Sequence, residues 1–285
     1  MKTQMSRTIR VTILVENTAG GRDLLGEHGL SFWIEAGPKR VLLDTGQGNV
    51  LLGNARKLGV GLELVDVIVL SHGHYDHTGG LRDALRAERR TKVYAHPAAF
   101  RPKYARNMNG TARDIGMPFL DETKIRERAD ELIWTNRPTE IWDGLFVTGE
   151  IPRVTDFEDT GGAFFLDEQC QEPDPLIDDQ AMFFEATGGT VVLLGCAHAG
   201  VINTLAYVRQ LTNNRPIHAV MGGMHLVNAS PERISRTIEA LQCLNIVHLI
   251  PAHCTGAAAV TKLQKAFPRQ CRSGTVGTTM EFERS

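Results

Sequence analysis

Val65–Leu70 is a short, largely apolar run, the pattern of an interior strand covered on both faces. Immediately after it comes SHGHYDHTGG, Ser71 to Gly80, which sets His72, His74, Asp76 and His77 within six residues. A strand buried on both faces needs layers above and below it, and open sheets collect ligand sites at the carboxyl ends of such strands. In extended backbone His72 and His74 point to the same side, so two imidazoles can meet one cation. Asp76 and His77 follow the turn and can face a second. Imidazole with carboxylate suits zinc, iron or manganese rather than calcium.

The flanking sequence alternates strand and helix. Strands are expected at Ile9–Glu16, Leu30–Ala36 and Arg40–Asp44, the last ending in a turn at Thr45-Gly46. Asn49–Leu58 has helical spacing and stops at Gly59, and Leu81–Arg90 reads as a further helix. Later, Ala181–Glu185, Thr190–Gly195, Ile217–Met221 and Ile246–Pro251 read as strands, with Val201–Leu211 and Pro231–Leu244 as helices. Strands with intervening helices in both halves, and no linker between them, predict one domain over residues 1–285. Arg101–Arg137 breaks the rhythm and reads as an insertion, either a solvated excursion or a substrate lid. Glu168–Asp179 is acidic and contains prolines, which predicts an exposed loop with no chemistry.

A chain of 285 residues, 42% hydrophobic and 22% charged, can bury a core without staples. Its formal net charge of −2 offers no field to capture nucleic acid through phosphates, so no such partner is expected. No apolar run approaches the roughly 20 residues that span a bilayer, so no membrane partner is expected either. Five widely spaced cysteines without a C-x-x-C pair fit a reducing compartment, and the amino terminus lacks a secretory apolar region. Both point to the cytoplasm. The sequence carries no signal for an oligomeric state.

Four ligands cannot complete two metal sites. Three more histidines follow apolar strands, in GCAHAG (His198), GGMHL (His225) and PAHCTG (His253). Equivalent strand ends converge on one rim of a sheet. That makes His253, then His198, the best further ligands and leaves His225 for metal or substrate. Of the rest, His96 caps a strand, His218 lies within an apolar run, and His248 and His28 read as packing residues.

The motif H-x-H-x-D-H, here His72, His74, Asp76 and His77, is the mark of the metallo-β-lactamase superfamily, which the chain resembles over nearly its whole length. LLDTG (Leu42–Gly46) is similar to the superfamily's first motif, and PAHCTG puts His253 where the last ligand is expected. The resemblance implies an α/β fold, a four-layer αββα sandwich with the site at one edge. It also implies that Asp44 supports the metal loop. Two divalent metal ions follow, zinc with iron or manganese as substitutes, held by His72, His74, Asp76, His77, His198 and His253.

Two motifs depart from the superfamily. The usual P-G-H is replaced by TGEIPR (Thr148–Arg153), without histidine, and the strand-ending Gly-Asp by Gly195-Cys196 followed by His198. The bridging carboxylate is therefore missing from its expected place. Cys196 or His198 can substitute, or Glu150 can supply a carboxylate from the other side. EHGLSFWIE, SHGHYDHTGGL, TGEIPR, GCAHAG, GGMHL and PAHCTG, in that order, resemble the subgroup named for archaeal 7,8-dihydropterin-6-methyl-4-(β-D-ribofuranosyl)aminobenzene 5'-phosphate synthase.

Paired cations acidify a water between them and polarise a phosphoryl or carbonyl oxygen. The first expectation is thus a metal-dependent hydrolase acting on a small anionic ester, a phosphodiester or lactone-like compound, through a metal-activated water. Asp76, Glu150 and His225 are the candidate catalytic residues, and Arg153 a candidate partner for phosphate. The subgroup resemblance implies an alternative, a pterin-linked transferase displacing pyrophosphate, for which Phe32, Trp33, Phe119 or Trp134 would stack the ring. A di-iron redox protein ranks below both, as does a non-catalytic ligand sensor.

Overall fold

The computed structural model describes residues 8–85, 90–107, 109–118 and 121–284. Phe119 and residues 86–89, part of the expected Leu81–Arg90 helix, lie outside them. In chain order the elements begin with β1 (Thr8–Val15), β2 (Ser31–Ala36), β3 (Lys39–Leu43), α1 (Leu51–Lys57), β4 (Val67–Val69), α2 (Tyr75–Thr78), α3 (Leu81–Ala84) and β5 (Lys92–Ala95). Next come β6 (Tyr104–Arg106), β7 (Ala112–Asp114), α4 (Glu122–Arg128), β8 (Glu131–Trp134), β9 (Thr139–Trp142) and β10 (Leu145–Val147). The remainder holds β11 (Phe164–Phe165), β12 (Ala181–Ala186), β13 (Gly189–Leu194), α5 (Val201–Leu211), β14 (Ile217–Gly223), α6 (Pro231–Gln242), β15 (His248–Ala252), α7 (Ala257–Ala266) and β16 (Thr279–Glu283).

The strands form a seven-stranded sheet, β16-β1-β2-β3-β4-β5-β8, and a six-stranded sheet, β15-β14-β13-β12-β10-β9. Side-chain alternation along the strands sorts the apolar residues into layers. Ile9, Val11, Phe32, Ile34 and Val41 of the first sheet join Met182, Phe184, Val191, Leu193 and Met221 of the second in one buried cluster between the sheets. Trp33, Leu42, Ile68 and Leu70 face the other way, against Leu51, Ala55, Leu81 and Ile125 from α1, α3 and α4. Phe183, Val192, Leu194, Val220 and Leu249 likewise face Val201, Leu205, Ile234, Leu241 and Leu263 from α5, α6 and α7. Helix, sheet, sheet, helix: this is the αββα sandwich. Truncating a wholly buried inner side chain such as Phe184 to Ala costs about 3–5 kcal/mol.

The helices start where local chemistry satisfies their free N–H groups. The Ser230 side chain accepts from Arg233 N at the head of α6, with Pro231 in its first turn, a favoured start for a helix. The Glu158 carboxylate accepts from Ile202 N at 2.9 Å and Asn203 N at 2.8 Å, capping α5 from a distant loop.

The stretch 101–137 divides. Its end, β8, runs parallel to β5 as an edge of the large sheet. Its beginning pairs β6 with β7 and with β11 in a small three-stranded sheet. The acidic segment 168–179 is exposed at Glu168, Gln169, Gln171, Glu172 and Pro173, as its composition suggests, but its later aspartates are buried. Asp174, Asp178 and Asp179 are 6%, 1% and 2% exposed; Lys103, itself buried, reaches Asp174 and Asp178 at 2.9 Å each, and Asp179 Oδ2 accepts from Ala199 N at 2.8 Å.

Parallel pairing sets the site. β3, β4 and β5 run parallel, as do β13, β14 and β15. Their carboxyl ends therefore open on one rim, where Asp44, the His72–His77 loop, Cys196, His198, His225 and His253 all emerge.

Candidate metal centre

Two ligand clusters meet at this rim. His72, His74 and His198 form one, with ligand atoms within 4.8 Å of one another. In the other, Asp76 Oδ2 lies 3.1 Å from His253 Nε2 and 3.7 Å from His77 Nε2. His72 Nε2 sits 3.0 Å from His74 Nδ1, and His77 Nε2 sits 3.3 Å from His253 Nε2. Two nitrogens sharing a tetrahedral cation at about 2.0–2.1 Å stand about 3.3–3.4 Å apart, so the His77–His253 spacing fits a shared ion and the His72–His74 pair lies slightly inside it.

The outer nitrogens are held by the protein. Asp44 Oδ2 accepts from Ser71 Oγ at 2.6 Å, and His77 Nδ1 lies 2.7 Å from the same oxygen. Having given its proton to Asp44, Ser71 Oγ accepts from His72 Nδ1 at 2.9 Å. His198 Nδ1 donates to Thr160 O at 2.8 Å, and His253 Nδ1 donates to Asn17 Oδ1 at 2.9 Å. Four rings thus turn Nε2 inward while a carboxylate, hydroxyl, carbonyl or amide oxygen fixes Nδ1, the outer-partner arrangement of ligating histidines. The inward Nε2 atom of His198 is buried without a hydrogen-bond partner. Such groups are costly unless something binds them.

Electrostatics agree with this division. Burial, followed by the neighbouring imidazoles, holds His72 and His198 well below the usual histidine value. Burial alone outweighs the rest at His74, which falls to about 3. These rings are neutral near pH 7, the form that ligates. Burial also pushes Asp76 up, yet His77, His253 and His28 together keep it well below the carboxylate range. Burial lowers His77, but Asp44 and then Asp76 raise it to about 9. Positive charge is therefore favoured beside Asp76. The donor set fits divalent cations bound to nitrogen and carboxylate.

A cavity of about 370 Å³ opens above the clusters, walled by His74, Tyr75, Asp76, Arg113, Phe164 and His225, among others. Phe164, carried in by β11, lies 5.2 Å from both His74 and His198 between ring centres. The small sheet therefore roofs the site, and its β7 brings Arg113 to the cavity wall.

Several sequence expectations need correcting. Glu150 is exposed and does not line the cavity; its charge is felt by His96 and Tyr207 instead. Arg153 donates to His198 O at 2.8 Å and to Pro175 O at 2.6 Å, so its guanidinium braces the His198 loop. Phe32 and Trp33 are core residues at 0% and 2% exposure, and Trp134 packs edge-on against Phe100. None of the three faces the cavity. His28 is not a packing residue: its half-exposed ring puts Nε2 3.2 Å from Asp76 Oδ2 at the cavity mouth. Cys196 Sγ lies 3.1 Å from His77 Nε2, close to the ligands.

Sequence reasoning also missed Asn17, Tyr75, Arg113 and Phe164. Tyr75 sits inside the ligand motif, where adjacency was a usable signal. The others come from loops and short strands with no periodicity to mark them. Asp178 was missed too, although its Oδ2 accepts from Gly73 N at 2.8 Å, between His72 and His74.

Comparison with known proteins follows the same geometry. The chain is 28% identical over 289 residues to the 7,8-dihydropterin-6-methyl-4-(beta-D-ribofuranosyl)-aminobenzene-5'-phosphate synthase of Methanocaldococcus jannaschii, covering 96% of this chain and 97% of that one. It is 35% identical over 261 residues to MJ0448, an uncharacterized protein of the same organism, covering 90% and 94%. The crystal structure of Tm1679, described as a metal-dependent hydrolase of the beta-lactamase superfamily, superposes with a TM-score of 0.81 at 29% identity. That match covers 96% of this chain and 99% of the other. Residues 25–240 match the family model described as the metallo-beta-lactamase superfamily. With the αββα sandwich and the H-x-H-x-D-H loop in place, the chain belongs to the metallo-beta-lactamase superfamily.

Proposed function

We propose that the protein is a metal-dependent hydrolase of a small anionic ester, a phosphodiester or lactone-like compound. The observation that carries this reading is one cavity of about 370 Å³ with ligand histidines at its floor and the cationic Arg113 on its wall. His72, His74 and His198 would hold one divalent ion, and Asp76, His77 and His253 a second, with zinc best suited to the donors. Bound there, the pair supplies Lewis acidity, polarising an ester oxygen and acidifying water. The remaining work falls to the chain's own residues.

Arg113 offers a fork of donors to an anionic oxygen. Phe164, Ile115 and Val227 line the cavity beside it and displace water around the scissile bond. His28 Nε2, next to Asp76 Oδ2 and open to solvent, can pass a proton between the carboxylate and bulk water. His225, also on the wall, is placed to meet the substrate.

The test is His74→Ala. The variant should lose bound metal and its turnover of a phosphodiester such as bis(p-nitrophenyl) phosphate, or of a simple lactone. Undiminished turnover in a metal-depleted variant refutes the reading. A second reading, a pterin-linked transferase displacing pyrophosphate, is favoured by the exposed face of Phe164 and by the 28% identical synthase. Titration with a dihydropterin separates the two, because a hydrolase of small esters should not bind it.

A further inference from the structure

One group of side chains at the rim is not used by either ligand set. Cys196, His225 and Cys254 place two Sγ atoms and a ring nitrogen within 4.8 Å of one another. Both cysteines are free thiols, buried at 2% and 6% exposure, and all three residues line the cavity. We propose that these three residues form a third metal site, rich in thiolate and open to the cavity at its fourth position.

The backbone makes room for this cluster at some cost. His225 sits at φ 44, a left-handed conformation uncommon for a residue with a side chain. A Cβ at Gly161 would lie 1.9 Å from His225 Cδ2, and one at Gly223 would lie 2.6 Å from Cys254 Sγ. Glycine at 161 leaves room for the ring, and glycine at 223 admits the Gly195 carbonyl and the Cys254 thiol together. His225 Nδ1 is buried with no hydrogen-bond partner, although a buried polar atom normally has one.

The donor types determine the ion. Two thiolates and an imidazole select a soft or borderline cation such as zinc over manganese or magnesium. Two cysteines and a histidine with an open fourth position form a catalytic type of zinc site, not a closed structural one. Binding M²⁺ forms two metal–sulfur bonds and releases the two thiol protons to solvent. The open position faces the cavity, so an anionic oxygen or sulfur of the substrate would complete the shell. Cys196 Sγ, 3.1 Å from His77 Nε2, links this site to the carboxylate–histidine set.

The experiment reads metal and not hydrolysis, so it stands whether or not the hydrolase reading holds. The stripped, phosphine-reduced full chain is reloaded with Co(II), and cobalt content and the thiolate-to-cobalt charge-transfer band are measured. The wild type should hold one more ion than either Cys254→Ser or His225→Ala, and both variants should weaken the band. If both keep full cobalt content and an undiminished band, which only Cys196→Ser removes, the proposal is overturned. Should either variant fail to fold, zinc-soaked crystals of the wild type decide. An anomalous peak about 2.3 Å from both Sγ atoms supports the site. Filled histidine sites with no peak between the cysteines overturn it.

Discussion

Replacing Lys103 by methionine should be among the most damaging single changes outside the ligands. The ammonium lies 2.9 Å from Asp174 and 2.9 Å from Asp178, with the three side chains 1%, 4% and 0% exposed. At such burial solvent screens little. Removing the cation leaves two carboxylates without compensation, which costs about 3–5 kcal/mol. The sign with pH follows from Asp178. In the wild type burial pushes its pKa up, but Lys103 and the Gly73 N–H bring it below the usual carboxylate value. That carboxylate therefore adds stability above its unfolded value, and the gain is lost as pH falls through its folded value. In the variant the Gly73 N–H bond remains, but the larger of the downward pulls, from Lys103, is gone and burial drives the carboxyl upward. The deficit should then be largest near neutrality and should shrink as the buried carboxyls take up protons. Urea denaturation at about pH 7 and about pH 5 measures both. Because Asp178 also holds Gly73 N, metal affinity should fall by about 10–100-fold. A variant within about 0.5 kcal/mol of wild type, or a deficit independent of pH, would falsify this account.

Three further changes probe the cavity. Arg113→Ala should raise KM for an anionic ester about tenfold with little change in kcat; an equal effect on an uncharged analogue would show that charge is not what Arg113 reads. His28→Ala should keep full metal content yet lower kcat about tenfold or more, and a variant that loses metal would place His28 among the ligands instead. Gly161→Ala, whose Cβ meets His225 at 1.9 Å and whose φ is +82°, should cost about 1–3 kcal/mol. Histidine NMR signals should show His225 displaced; an unmoved ring and unchanged melting would contradict the contact.

Much of the architecture was legible because it rests on local pattern. The apolar run before Ser71 is β4 with its flanks, and Val201–Leu211 is α5 to the residue. The ligand loop could be read because four donors within six residues leave little room for another purpose. Short elements escaped notice. β9, β10 and β11 have four, three and two residues, too few for a period to show. What failed most clearly was charge. Asp174 and Asp178, read as solvated, are buried because their counter-ion lies 71 and 75 positions away. Arg153 and Arg113 are equivalent as letters; only the pairing of β6, β7 and β11 decides which reaches the cavity. Likewise, nothing near His28 in sequence announces Asp76 as its partner.

The bond from His253 N to Glu16 Oε1 joins residues 237 positions apart. Loop closure on that scale is slow, so the rim cannot be complete until both ends of the chain have docked. In refolding, full metal uptake should then keep pace with the slowest phase, and saturation within the mixing dead time would rule this out. A nascent chain would display His72, His74, Asp76 and His77 long before His253 exists. Occupancy of the site that includes His253, unlike that of the His72–His74–His198 set, thus becomes a measure of how much of the population has finished folding.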